Sequence, residues 1–141
     1  MKISTKGRYA LRVVIDLAEH QSDGFIKLVD VAERQNISEK YLEGIIASLT
    51  KSGLLSAVRG KGGGYRLALP ADRITAARVL RDAEGSLAPV ACLENRPNSC
   101  PRADNCRTLA LWEGLDRVIN NYLEGITVAD LIGGGADNYC I

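Results

Sequence analysis

The chain is poor in large rings and in imidazole: it has one Trp, one Phe and one His among 141 residues. A single His, with no paired carboxylates and no recognisable nucleophile arrangement, argues against an enzyme. The core must be filled by Leu, Ile, Val and Ala at helical spacing, and hydrophobic residues make up 46% of the chain, enough to build one. No apolar run approaches the roughly 18–20 residues a membrane span needs. The opening MKISTKGRYALRVV has no apolar stretch followed by a small-residue cleavage site, which argues against a secretory signal. The expected location is the cytoplasm, with no membrane partner. The length suits one domain, or a small domain with an extended attachment.

Cysteine is absent from the first 91 residues and then occurs as Cys92, Cys100 and Cys106, a C-x7-C-x5-C pattern, with Cys140 in the tail. Thiols stay reduced in the cytoplasm, so a cluster of them favours metal or redox chemistry over structural disulfides. Thiolates hold soft or borderline metals, and this spacing lets one loop wrap a single centre.

The net charge of +1 is unevenly spread: residues 1–70 carry +4 and residues 71–141 carry −3. A basic first half suits an anionic partner, and a solvated surface of uneven charge accounts for it equally well.

Apolar spacing predicts a first helix over 6–20, with Ala10, Leu11, Val14, Leu17 and Ala18 on one face. Ser22-Asp23-Gly24 ends it, and Phe25 and Ile26 make a short extended piece. A second helix is expected over 28–35. Asn36 closes it, and Ser38 is the expected N-cap of a third helix with Glu39 in its first turn. In that helix Leu42, Ile45, Ile46 and Leu49 recur at i, i+3, i+4, i+7, and Gly53 stops it. Two helices joined by a tight turn form a helix-turn-helix, an arrangement shared by many helical hairpins.

The segment after Gly53 narrows the choice. Strands are expected at 55–58 and 65–69, joined by Gly60-Lys61-Gly62-Gly63-Gly64 and flanked by Arg59 and Arg66. A basic hairpin after a helix-turn-helix reads as the wing of a winged helix. Glycines at its tip let backbone amides approach phosphate closely. The segment lacks the G-x-x-x-x-G-K-[ST] spacing and joins two strands, so a nucleotide phosphate loop is rejected. A fourth helix is expected over 74–83. Residues 85–105 hold three of the four prolines and form a loop. A long helix is expected from about Cys106 to Glu124, whose broad stripe (Leu111, Trp112, Leu115, Val118, Ile119, Tyr122, Leu123) points to packing on a second subunit. Thr127 should cap a last short helix, and Gly133-Gly134-Gly135 leads into a tail expected to be mobile.

The expected fold class is mainly α with a small β-hairpin wing. The expected parts are a winged helix-turn-helix over 1–84, a cysteine loop over 85–105, a dimerisation helix and short C-terminal helix over 106–132, and a tail over 133–141.

STKGRYAL (4–11), YLE (41–43), GLLSAVRGKGGGYRL (53–67) and the cysteine loop followed by ALW (110–112) resemble the IscR-like family of iron–sulfur-dependent transcription regulators. The resemblance spans roughly residues 1–132. It implies a winged-helix homodimer, crossed through the long helix, that binds roughly palindromic double-stranded DNA. It also implies that Cys92, Cys100 and Cys106 hold a [2Fe-2S] cluster, in preference to [4Fe-4S], which changes promoter choice. Two departures stand out. The first two cysteines are commonly C-x5-C in such proteins, and the loop here is longer. The His that follows the last cysteine by three residues is here Leu109, and the acidic residue some relatives use near the N-terminus is here Arg8. Candidates for the fourth ligand are Glu43, His20, Asp104, Cys140, or an exogenous thiol or water, with an oxygen ligand favoured. Incomplete thiolate ligation makes a cluster labile, as a sensor of iron–sulfur status or oxidative stress requires.

For DNA, Ser38, Lys40, Tyr41 and Glu43 begin the third helix and are expected in the major groove. Arg59, Lys61 and Gly62 are expected at phosphate or the minor groove. Lys6 and Arg8, ahead of the first helix, are expected to add backbone contacts, and Lys51 and Arg66 are weaker candidates. The alternatives are a winged-helix regulator with Zn²⁺, or one with a thiol/disulfide switch, in the same loop. A cluster carrier would have no use for the basic wing.

Overall fold

The computed structural model describes residues 2–21 and 24–132. Six helices and one hairpin follow in order: α1 (Thr5–Glu19), α2 (Leu28–Gln35), α3 (Glu39–Lys51), β1 (Leu55–Val58), β2 (Gly64–Leu67), α4 (Ala76–Glu84), α5 (Leu109–Glu124) and α6 (Val128–Ile132). The 3₁₀ turns Ala71–Arg73, Ala91–Leu93 and Ala103–Asn105 punctuate the connections after the hairpin. The expected fold class is the one observed: a winged helix-turn-helix followed by a long helix.

Side-chain caps fix the starts of α1, α3, α4 and α6, and they account for the differences from the predicted bounds at α1 and α4. Ser4 Oγ accepts from the Gly7 amide at 3.2 Å, so α1 begins at Thr5 and includes Lys6 and Arg8 in its opening turns rather than following them. Thr75 Oγ1 accepts from the Arg78 amide at 3.1 Å, which starts α4 at Ala76 and leaves Ile74 extended. α3 is capped as the sequence predicts, with the Tyr41 amide donating to Ser38 Oγ at 3.1 Å. Thr127 caps α6 reciprocally: the Asp130 amide donates to its hydroxyl, and the Thr127 amide donates to Asp130 Oδ2.

The core lies where α1 crosses the helix-turn-helix. Val13, Val14 and Leu17 of α1 meet Val31 of α2 and Leu42, Ile45 and Leu49 of α3, all essentially inaccessible. Leu54, Ile74 and Val79 close one side and Val128 of α6 another. The last helix packs on the first, and its start is tied to that of α4: Val128 N–H donates to Ile74 C=O and Ala76 N–H to Ile126 C=O, both at 2.8 Å.

One charge is buried inside this packing. Asp16 of α1 is 2% exposed. It accepts from Arg34 Nε at 3.0 Å, from the Arg34 guanidinium again at 2.7 Å, and from Gln35 Nε2 at 2.9 Å. Burial pushes its carboxyl pKa up, but the hydrogen bonds from Arg34 and Gln35 and the charges of Arg34 and His20 outweigh it, and the net shift is downward. The pair ties the last turn of α2 to α1 and so fixes the angle at which the helix-turn-helix is presented.

Candidate nucleic-acid interface and cysteine loop

β1 and β2 pair antiparallel in the register Leu55↔Leu67, Ser56↔Arg66, Ala57↔Tyr65 and Val58↔Gly64. Ile26, on the predicted extended piece, bridges Tyr65 through two 2.8 Å hydrogen bonds and anchors the wing to the body. The second strand ends at Leu67, two residues earlier than expected. Gly64 explains the tight turn into it: its φ is +152°, and a Cβ there would lie 2.4 Å from Ile26 O. Arg59, Lys61 and Gly62 are exposed at the tip, as a phosphate contact requires. Arg66 is engaged elsewhere, with its guanidinium 4.6 Å above the Phe25 ring.

On α3, Ser38, Lys40, Tyr41 and Glu43 are all exposed. Between α3 and the wing runs a groove of 660 Å³ lined by Lys27, Glu43, Ala47, Lys51, Arg59 and Tyr65 among others. Helix and wing thus present cations to one cleft, with Glu43 as the one acidic side chain lining it. Such a cleft fits a sugar–phosphate strand passing between a helix in the major groove and a wing beside it. Lys6 and Arg8 sit on α1 instead, Lys6 half-buried and Arg8 exposed with its guanidinium donating to Thr5 Oγ1 at 3.1 Å.

Two residues outside the predicted set support this surface. Tyr9 of α1 meets Tyr41 edge-on, centroids 5.6 Å apart, and Arg12 lies 5.1 Å over the Tyr9 ring. Arg12 also donates to Gln35 Oε1 at 3.1 Å. The Tyr41 ring is therefore held in place before any partner arrives. The sequence carried a faint signal of this, since Tyr9 falls beside the apolar stripe of α1 and not on it. Lys27 was also missed, because its position at the start of α2 becomes part of the groove only through the Ile26–Tyr65 bridge.

The cysteines occupy the connection from α4 to α5. Cys92 lies in the turn Ala91–Leu93, the Cys100 amide donates to Asn98 Oδ1 at 2.8 Å, and Cys106 immediately follows the turn Ala103–Asn105. All three are free thiols of intermediate exposure. The Cys106 thiol pKa is lowered by the Thr108 hydroxyl, 3.5 Å from its sulfur, and then by the Thr108 backbone. The long helix starts at Leu109, three residues later than predicted, which leaves Cys106 on the loop. Among the described residues no three His, Cys, Asp or Glu side chains are gathered closely enough to hold a metal ion.

The fourth-ligand candidates are dispersed. His20 ends α1 with its ring 2.8 Å from Asp16 O, Glu43 lines the groove between α3 and the wing, and Asp104 is exposed on the loop. Cys140 and the glycine tail lie outside the described residues.

α5 is fastened to α4 by Arg81, which pairs with Glu124 and donates to Asn120. None of its residues is buried. Leu111, Leu115, Val118 and Tyr122 share one face, and Leu111 and Val118 are 61% and 66% exposed. No helix among the described residues is long and apolar enough to cross a membrane.

Residues 3–134 match the Rrf2 family, described as iron-dependent transcriptional regulators. The chain is 39% identical to the HTH-type transcriptional regulator IscR of Aliivibrio salmonicida over 132 residues, 94% of this chain and 77% of that one. The solved structure of T. potens IscR superposes with a TM-score of 0.75 at 36% identity, covering 99% of this chain and 91% of that one. CymR, the global cysteine regulator of B. subtilis, superposes with a TM-score of 0.75 at 35% identity over 94% of this chain and 96% of that one. These proteins are regulators, not enzymes, in agreement with the missing catalytic constellation. With the helix-turn-helix, the wing and the long helix in the same order, the chain belongs to the Rrf2 family of transcriptional regulators.

Proposed function

We propose that this chain is a dimeric, cytoplasmic regulator that binds roughly palindromic DNA and whose promoter choice depends on an iron–sulfur cluster, [2Fe-2S] in preference to [4Fe-4S], held by Cys92, Cys100 and Cys106. The observation that carries the reading is the position of the three thiols. They lie on one loop whose two ends continue into α4 of the DNA-binding unit and into α5, the helix with an uncovered apolar face. The donor set fits the group: three soft ligands, none spent in a disulfide, each within reach of solvent. The loop must close further to bring the sulfurs together, and loop-closure entropy rises only slowly with the extra residues between Cys92 and Cys100. When bound, the cluster supplies a labile link among the three thiols that iron depletion or oxidation removes.

The chain's own residues do the rest. Lys40 and Tyr41 of α3 face base edges and phosphate, while Glu43 accepts from cytosine and repels phosphate, so it excludes some sequences. Arg59 and Lys61 neutralise phosphates from the wing. The α5 faces of two copies cover Leu111, Leu115, Val118 and Tyr122 and place two α3 helices for the half-sites of one operator. The fourth-ligand candidates are Glu43, His20, Asp104, Cys140 and an exogenous thiol or water, and among them an oxygen donor is favoured.

Oxygen-free purification with iron and sulfide analysis, followed by footprinting of loaded and apo protein on the same promoters, tests this. Visible absorbance lost in Cys→Ala variants, with occupancy-dependent promoter preference, is expected. Colourless protein that cannot be reconstituted, or identical affinities in both states, defeats it.

The second reading, a thiol switch without metal, is favoured by the lowered pKa of the Cys106 thiol and by the likeness to a cysteine regulator. It predicts oxidant-dependent loss of alkylatable thiols in iron-free protein. Zinc in the same loop predicts stoichiometric metal with no visible absorbance.

A further inference from the structure

Among the described residues, every glycine other than Gly44 has either a positive φ or a neighbour within 4 Å of where its Cβ would lie. A Cβ on Gly7 of α1 would lie 2.2 Å from Glu84 Oε1, the oxygen that accepts from both the Ser4 amide and the Ser4 hydroxyl. A Cβ on Gly63 of the wing would lie 2.2 Å from Val58 O. Gly44 is different. It sits in the middle of α3, exposed, with φ outside the left-handed region, and a Cβ there would meet nothing within 4 Å. Glycine is the weakest helix former after proline, so the fold is less stable with Gly44 than with alanine and gains no packing in return. An exposed helix glycine with open space around it lets something outside the chain approach the backbone closely.

The neighbours of Gly44 identify what approaches. Lys40, Gly44, Ala47 and Lys51 recur at i, i+4, i+7 and i+11 and form one exposed stripe along α3. Its ends are cationic and its centre is nearly bare backbone. Ala47 and Lys51 line the groove shared with Arg59 of the wing. Cations at both ends of a bare segment suit a polyanion pressed lengthwise against the helix, and they do not suit an apolar protein surface.

We propose that Gly44 sets how deeply α3 seats in the major groove. The missing side chain lets the helix backbone and the Ala47 methyl reach the base edges, where the apolar feature available is the thymine methyl. This deepens the DNA-binding reading and rests on it. The contact belongs to the specific complex alone. Non-specific binding depends on phosphate neutralisation by Lys and Arg and makes no use of depth.

The test uses full-length protein purified without oxygen and two labelled duplexes. One is selected by the native protein from a random pool, and the other is a mixed-sequence duplex that it does not select. Gly44→Ala is expected to raise Tm by about 2–6 °C. The same variant should weaken the selected duplex tenfold or more and leave the mixed duplex within twofold. Deoxyuridine replacing single thymines in the selected duplex should weaken native binding at one position per half-site and have no such effect on Gly44→Ala. Unchanged affinity of Gly44→Ala for the selected duplex overturns the proposal. So does a Tm that falls together with affinity, since Gly44 would then act within the fold. The underlying reading fails separately: if native protein enriches no sequence from the pool, or Lys61→Ala holds both duplexes as tightly as native protein does, DNA binding by this surface fails, and the role of Gly44 falls with it.

Discussion

Asp16→Asn is the most informative single change to the fold. It keeps the shape of the side chain, but replaces one accepting oxygen with an NH₂ that faces donors from Arg34 and Gln35. The native carboxylate takes three hydrogen bonds, two of them from a guanidinium, at 2% exposure. Breaking a fully buried ion pair by removing one partner costs about 3–5 kcal/mol. The Arg34 side chain is 35% exposed and can turn part of its charge to water, which lowers the expected loss to about 2–3 kcal/mol. Urea unfolding at neutral pH checks this, with the midpoint falling at constant slope. The pH dependence follows from the direction of the shift. The folded carboxyl titrates below its ordinary value of 3.8. Its stabilisation is therefore complete above the unfolded pKa and is lost as pH falls through the folded one. The gap between native and variant should be flat from neutral pH down to about pH 5 and close below about pH 4. A loss smaller than about 0.5 kcal/mol, or a gap that persists unchanged into acid, refutes the argument that this pair clamps α2 to α1.

Replacing Arg59 and Lys61 together by alanine should lower the slope of log affinity against log salt by about 2, with weaker binding across all sequences and iron content unchanged; anisotropy titrations at several salt concentrations read it. In the proposed dimer, Val118→Glu should convert dimer to monomer in sedimentation while leaving helicity intact, because Val118 is 66% exposed and is not among the buried core residues.

The helix-turn-helix and wing were legible because their information is local. Period-3.6 spacing, Ser38 as a cap, and a glycine-rich turn between two short alternating runs each act over a few residues. Two of the boundary errors lie where a side chain captures a backbone amide: Ser4 and Thr75 move the starts of α1 and α4, and no periodicity reports a cap. The site was half legible. The basic tip and the three thiols stand out by composition, whereas Tyr9, Arg12 and Lys27 join the interface only through contacts between elements far apart in sequence. Asp16 was invisible for the same reason, since a lone acid on an apolar helix face becomes meaningful only once Arg34 and Gln35 are seen to face it.

Those long-range contacts also bear on how the loop reaches DNA. The cysteine loop leaves α4 one residue after Glu84, whose carboxylate holds Ser4 at the start of α1. α1 in turn holds Tyr41 through Tyr9 and holds α2 through Asp16. At its other end the loop enters α5, which Arg81 fastens back to α4. Under the proposed function, ligation of the three thiols would act on both ends of a segment framed by α4 and α5, and those two helices carry the attachment to the helix-turn-helix and the exposed apolar face. Continuity of contacts alone does not transmit a signal; the two loop states must bind DNA with different free energies, typically by about 1–3 kcal/mol. In the proposed dimer, a change in the angle between α4 and α5 would supply such a difference without disturbing the core, because it would alter the spacing of two α3 helices while each stays clamped to its own α1. Half-site spacing is where a duplex discriminates most sharply between two dimer geometries, so the loop's state should be read out as a choice between operators more than as a uniform gain or loss of affinity.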